Sequence, residues 1–572
     1  MTAVATPVEI DRSLTELHEG AKRWVQLMPG AKASLFERVR DATYAQAQRW
    51  ANAAADAKGL TGSPLAGEEW LSGPWALLYA LNRYIRTLRE IERFGTPQIP
   101  RNRVRARADG QVVVDVFPDG IYDLLLLNGI RAEVRMQRDV TPATLSETMA
   151  VWYKRHDREP RVALVLGAGN IAAIPPLDVL YKMIADGAVC VLKMNPVNEY
   201  LGPILEDALK PLVDEGFLRF AYGGPEIGKL LCAHELVDEI HITGSDKTHD
   251  RIVFGDGPDA VERKLRKEPA LRKPITSELG NVSPTIVVPG PWSDADFRFQ
   301  AEQIATQKMH NGGFNCVASQ VLVLPEAWDG TPKLLAAIEG VMREIEDRPA
   351  YYPGATDRCD LLSAGEAKIM HFGRHGDGFT HRTILKVDAS SPAPAFETEA
   401  FSSFLTVTTL PGDTREFLKS AVDFANDRLW GTLGGNVVVH PKTMHEYARE
   451  LDDAVAALQF GCVAVNAWTG VGFLLAETTW GAYPGHTLND VRSGIGVVHN
   501  SYLFDRAEKS VVYAPFAEFP RSVLGYGSTL LPKPPWFITN KTADRTARAL
   551  VDFEMRKTPL AAMKVAMLAM RG

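Results

Sequence analysis

Apolar positions divide the chain into stretches of different period. Over residues 1–105 they recur at helical spacing, most clearly in WALLYALNRYIRTLREIERF (75–94), which predicts a mainly helical N-terminal region. The period then drops to two. Residues 111–117 (QVVVDVF) and 130–136 (IRAEVRM) alternate as strands do, with a Pro-Asp-Gly turn at 118–120 after the first. A ribbon lying between helical regions has open edges that need covering. It is expected to be an arm that pairs with another subunit, with residues 510–516 (SVVYAPF) adding a strand to it.

From residue 161 the pattern becomes strand–helix alternation. β-rich segments recur at 162–166, 189–193, 218–221 and 239–243, separated by helical patterns, which predicts βαβ units and a parallel sheet. A second series follows at 284–288, 321–324, 404–410, 436–439 and 463–466. The expected fold class is therefore α/β, with two parallel-sheet domains joined near Glu278. No internal repeat stands out.

Composition narrows the class. The chain has 572 residues, 46% hydrophobic and 23% charged, with 46 glycines and 36 prolines spread along it. That is the profile of a soluble globular enzyme, and it excludes wholesale disorder, collagen repeats or coiled coil as the main organisation. Lys plus Arg is 63 against 70 for Asp plus Glu, a net charge of −7, so there is no global electrostatic footprint for nucleic acid. Five scattered cysteines without a CxxC pair indicate neither a disulfide framework nor a zinc site, and no metal is expected. The first residues carry no basic and apolar export signal, and no apolar run reaches the roughly 18 residues that span a bilayer. The C-terminal LAAMKVAMLAM is short and carries a lysine, so it reads as a docking helix. These features lead us to expect a cytoplasmic protein with no membrane or nucleic-acid partner.

The glycine-rich turn at 167–172 can be read two ways. Gly167, Gly169 and Ala172 match GxGxxA after a strand, a dinucleotide fingerprint. Pro175 and Pro176 then interrupt the stretch where a phosphate-binding helix should already be running. The next strand ends in Lys193, where a ribose-binding acid would be expected. A plain Rossmann dehydrogenase is the weaker reading.

Five segments, in order, resemble the aldehyde dehydrogenase superfamily. They are GAGNIAAIPPLDVLYKMIADGAVCVLKMNP (167–196), YGGPEIGKLLCAHELVDEIHITGSDK (222–247), TSELGNVSPTIVV (276–288), NGGFNCVASQVLVL (311–324) and, more weakly, ETEAFSSFLTV (397–407). Order and approximate spacing agree over residues 110–515. The resemblance implies two Rossmann-like domains and a β oligomerisation arm. Its expected boundaries are 1–110 for the helical part of the cofactor domain, 111–145 for the arm, 146–280 for the NAD(P)-binding domain, 281–500 for the catalytic domain and 501–572 for a C-terminal extension that includes an arm strand. It further implies a small-molecule aldehyde substrate, NAD or NADP as cofactor, and a homodimer or homotetramer.

By resemblance Cys316 is the nucleophile, a soft thiolate suited to forming the tetrahedral adduct from which hydride can leave. Asn170 would donate its amide to the resulting oxyanion, and Glu278 would activate water to release the thioester. Lys193 would meet the adenosine ribose, Gly224 and Pro225 would start a helix under the adenine, and Gly244 and Ser245 would open a helix at the pyrophosphate. Glu399 would hold the nicotinamide ribose beside Phe401. An inert buried thiol, a turn asparagine, an ion-paired acid and ordinary helix caps are the competing readings of the same residues. Trp468, Phe473 and Leu474 hint at an apolar aldehyde.

The chain also departs from the family pattern. Pro196 stands three residues after Lys193, where NAD-preferring members carry a glutamate, which relieves repulsion of a 2′-phosphate. Ala168 and Gly169 replace Pro-Trp, Ser402 and Ser403 replace Gly-Pro, and a charged stretch at 256–273 looks inserted. Two alternatives share the fold: transfer of the acyl group to coenzyme A, and a non-catalytic binding protein.

Overall fold

Two sheets organise the chain, and both grow from the predicted βαβ alternation. The computed structural model describes residues 4–366, 368–524 and 529–572. The smaller sheet has six strands in the order Gly494–Ile495, Ile275–Leu279, Glu239–Gly244, Val162–Leu166, Val189–Lys193 and Leu218–Ala221. All are parallel except the two-residue edge, Gly494–Ile495, which returns from late in the chain to pair antiparallel beside Glu278. The strands Val162–Leu166 and Val189–Lys193 are almost wholly apolar because helices cover both faces.

The helix that crosses between those two strands, Ile174–Ala185, carries Pro175 and Pro176 in its first turn. There the missing N–H and the fixed φ cost nothing. The prolines therefore set where the helix begins, beyond the glycine turn. On the outer side, the N-terminal helix Pro7–Gln26 buries Leu14, Leu17 and Trp24 against the same sheet. It starts at a Thr6–Glu9 capping box.

The larger sheet has eleven strands, parallel through its centre. Ser283–Val287, Ser319–Pro325, Phe404–Leu410, Gly434–Val438 and Cys462–Val465 form that centre, matching the second predicted series. Ile369–Phe372 and Arg382–Lys386 extend one side. On the other, Ala507–Tyr513 lies parallel to Cys462–Val465 and antiparallel to Arg131–Met136, which pairs in turn with Val112–Phe117. The expected extra strand thus joins the ribbon, and it ties the ribbon to the chain's own sheet.

The C-terminal helix Pro559–Ala569 docks on Ala543–Arg556 and on the short helix Ile121–Leu126. No helix among the described residues is long and apolar enough to cross a membrane.

Candidate active site

The loop that carries Cys316 follows the helix Asp294–Met309 and precedes the strand Ser319–Pro325. Asn311, Gly312 and Gly313 all adopt left-handed backbone, at φ of 54°, 66° and 82°. That reversal brings Phe314, Asn315 and Cys316 back across the gap between the sheets. Gly313 admits no side chain, because a Cβ there would lie 2.3 Å from the carbonyl oxygen of Ser402.

The Cys316 thiol donates to Glu278 Oε1 at 3.1 Å. Glu278 stands near the C-terminal end of Ile275–Leu279, held between Thr243 on one neighbouring strand and Gly494 on the other. It is 1% exposed. Burial pushes its carboxyl up to about 7, helped by the charge of Asp178, while the thiol's hydrogen bond pulls the other way. The Cys316 thiol is itself pushed well above the usual thiol range, first by burial and then by the negative charge of Glu278. An unassisted thiol there would be inert, but a base within hydrogen-bond reach can take its proton as it attacks.

Asn170 lies in the glycine turn, 6% exposed and facing the cleft that also exposes Cys316. Its amide Nδ2 donates to the Phe314 carbonyl at 2.9 Å, which ties the turn to the loop that carries Cys316. An amide nitrogen carries two hydrogens, so a second remains for an oxyanion. The Asn170 carbonyl accepts from Lys58 Nζ at 3.0 Å, Asn311 Nδ2 at 3.1 Å and the Tyr351 hydroxyl at 3.1 Å. Lys58 is buried against Glu69 at 2.8 Å and also reaches Asn311 Oδ1. Glu68 joins Arg348 at 2.7 Å and accepts from the Asn311 backbone. None of Lys58, Glu68, Glu69, Arg348 or Tyr351 was signalled by the sequence. Each lies far along the chain from the loop it supports, and only the fold brings them together.

The seven residues expected to bind cofactor all line one cleft of about 1170 Å³ between the two sheets, together with Asn170, Glu278 and Cys316. Ser245 caps the helix Asp246–Phe254, accepting from Thr248 N at 3.2 Å, so the free N–H groups of that first turn open at the cleft. Gly224 precedes the helix Pro225–Ala233 in extended backbone. Lys193 ends its strand 7% exposed, and burial lowers its affinity for a proton. Glu399 is half-buried, its Oε1 shut away from solvent without a hydrogen-bond partner, and desolvation raises its carboxyl to about 8. Gly280 makes room for it, since a Cβ there would lie 2.1 Å from Glu399 Oε2. Phe401 takes a positive φ of 40° and packs its ring 4.9 Å from Tyr352.

These groups fit a dinucleotide. An orphaned carboxylate oxygen suits a ribose hydroxyl donor, and a helix N-terminus suits a pyrophosphate. The charged stretch contributes too: Arg272 and Lys273 line the rim of the cleft.

A second cavity, of about 40 Å³, opens on the other side of the thiol between Ile171, Ile174, Phe473, Leu474, Trp468 and Trp536. Among the described residues Cys316 alone lines both this pocket and the large cleft.

Known proteins are similar to this chain in sequence and in fold. The aldehyde dehydrogenase family model matches residues 156–346. The N-succinylglutamate 5-semialdehyde dehydrogenase of Sphingopyxis alaskensis is 26% identical over 295 residues, covering 48% of this chain and 56% of that protein. The enzyme of the same name from Novosphingobium aromaticivorans is 24% identical over 377 residues, 60% of this chain and 74% of its own length. In fold, the NAD-dependent aldehyde dehydrogenase of Sinorhizobium meliloti superposes with a TM-score of 0.59 at 17% identity, covering 93% of this chain and 89% of that one.

Proposed function

Because the chain belongs to the aldehyde dehydrogenase superfamily, we propose that it oxidises an aldehyde to the carboxylic acid, with NAD or NADP as acceptor and Cys316 as nucleophile. The observation that carries this reading is the 3.1 Å contact between Cys316 and Glu278 at the meeting point of a dinucleotide-sized cleft and an apolar pocket.

Glu278, as carboxylate, takes the thiol proton while the sulfur bonds to the carbonyl carbon. The displaced π pair becomes an oxyanion, which Asn170 and the backbone N–H of Cys316 stabilise. When bound, the dinucleotide supplies a hydride acceptor for the resulting thiohemiacetal carbon. Lys193, Ser245 and Glu399 would hold it, through the adenosine ribose, the pyrophosphate and the nicotinamide ribose. The oxidised carbon is left as a thioester on Cys316. Glu278, once it has passed its proton on, removes one from water as that water attacks. The C–S bond then breaks, and the sulfur leaves with the carboxylic acid released. A carboxyl with a pKa of about 7 accepts and gives up protons readily near neutrality.

Retention of a base against the nucleophile favours water over coenzyme A as acyl acceptor. The missing glutamate at Pro196 supports acceptance of NADP alongside NAD.

Single-turnover measurements with an aldehyde panel, NAD against NADP and with or without coenzyme A, test the reading. Reduced dinucleotide and free acid are expected, and Cys316→Ala should lower the rate by about a thousandfold or more. Acyl-CoA as sole product, or unchanged turnover in the variant, would overturn it.

A further inference from the structure

Trp536 occupies an unusual position. It lines the apolar pocket beside Cys316, a mainly apolar cavity of about 70 Å³ under the C-terminal helices whose rim includes Asp123, Lys533 and Glu554, and a third hollow of about 30 Å³. Among the described residues it is the only one common to all three. The first two cavities also share Leu71 and Leu474, so they adjoin and the indole stands at their junction.

The segment that carries the indole is held firmly. Trp536 ends the sequence Pro532-Lys533-Pro534-Pro535-Trp536, in which three prolines restrict the backbone. The segment is fastened to the helix that leads into the nucleophile loop. Ile538 N donates to Thr306 Oγ1 at 3.2 Å, Lys533 pairs with Glu302 at 2.7 Å, and the Phe537 ring lies 5.4 Å from that of Phe299. Asn540 caps the turn by donating to the carbonyls of Lys533 and Pro534.

Volume and polarity then limit what the first pocket accepts. A water-sized group needs roughly 10–15 Å³, so 40 Å³ holds about three methylene-sized groups and the cavity behind Trp536 about five more. The walls of the first pocket are Leu71, Ile171, Ile174, Val317, Phe473 and Leu474, with indoles beside them. Among the described residues the only titratable side chain there besides Cys316 is His310, and burial disfavours its charged form. A carboxylate or ammonium on the substrate would find no counter-charge, and burying it unpaired is costly.

We propose that Trp536 is the stop that sets aldehyde length: the pocket takes short, uncharged, unbranched aldehydes, and the cavity behind the indole is an extension that Trp536 closes. The proposal rests on the oxidation reading above and names its substrate class. Each further buried methylene is worth about fourfold in affinity, but only for a chain that can pass the indole.

The test is a series of alkanals from propanal to decanal, run with the parent chain, Trp536→Ala and Trp536→Phe. The parent should give its highest kcat/KM near butanal. Trp536→Ala should move the optimum toward octanal or nonanal, with kcat/KM for nonanal rising about tenfold or more. Trp536→Phe, which keeps a ring in place, should retain the short-chain preference and serves as the folded reference if the alanine variant is unstable. Calorimetry with the unreactive butan-1-ol and nonan-1-ol decides the point without turnover. Nonan-1-ol should bind Trp536→Ala and not the parent. A parent optimum at octanal or longer, or identical profiles for parent and Trp536→Ala, would overturn the proposal. Absence of turnover with every aldehyde would instead count against the oxidation reading, and the alcohol titrations would still settle the role of Trp536.

Discussion

A carboxylate stripped of water beside a thiol is held at an energetic cost, and that cost predicts behaviour at the level of single side chains. Glu278 ionises near 7, against an ordinary value of 4.5. Its base form is lost as pH falls through about 7, so kcat for acid release should decline on the acid side with an apparent pKa near that value. The same shift runs against folding. The unfolded chain gives up this proton near 4.5 and the folded one near 7, so stability drains away as pH rises between them. Glu278→Gln should therefore abolish hydrolysis yet raise stability at pH 8 by about 3 kcal/mol, read by denaturant unfolding. Lys58 predicts the opposite sign. Lys58→Met strands the buried Glu69 carboxylate and should cost about 3–5 kcal/mol, with kcat falling more than KM rises. Cys316 and Glu278 were legible in the sequence because each sits inside a short motif. Lys58 was not, because its partners Asn170 and Asn311 lie 112 and 253 residues away and no local pattern marks the contact.

Elements show a similar division. Strands such as Val162–Leu166 and Phe404–Leu410 announced themselves by apolar content, and the structure keeps them nearly residue for residue. The pair Gly494–Ile495 could not be foreseen, since two residues carry no period and their strand character comes wholly from the Glu278 strand beside them. Prolines 175 and 176 looked like an interruption and prove to be the first turn of a helix. The turn before Cys316 is the most demanding element. Three successive left-handed residues are tolerable only because two are glycine and the surroundings hold the third. Gly313→Ala should cost about 2 kcal/mol or more and displace Cys316 from Glu278, measurable as a lowered melting temperature with a matching loss of single-turnover rate.

At the scale of the whole molecule, the cleft belongs to neither sheet alone. Lys193 and Ser245 come from the smaller sheet's side and Glu399 and Phe401 from the larger, so a ligand between them braces one against the other. NAD or NADP at a hundred times its dissociation constant should stabilise the chain by about 2.7 kcal/mol, seen as a rise in melting temperature that grows with concentration. Glu399→Gln should shrink that rise, because the orphaned Oε1 is the group proposed to accept from the nicotinamide ribose.

The placement of Ala507–Tyr513 between the ribbon and the central parallel strands sets a timetable for biosynthesis. Gln137, at the ribbon's end, donates to the carbonyl of Ala507, 370 residues downstream. At a ribosomal pace of roughly 5–20 residues per second, the ribbon waits about 20 to 70 seconds for the strand that seals it. During that interval its bare backbone groups are open to a neighbouring nascent chain, so crowded polysomes are where exchanged pairings would arise.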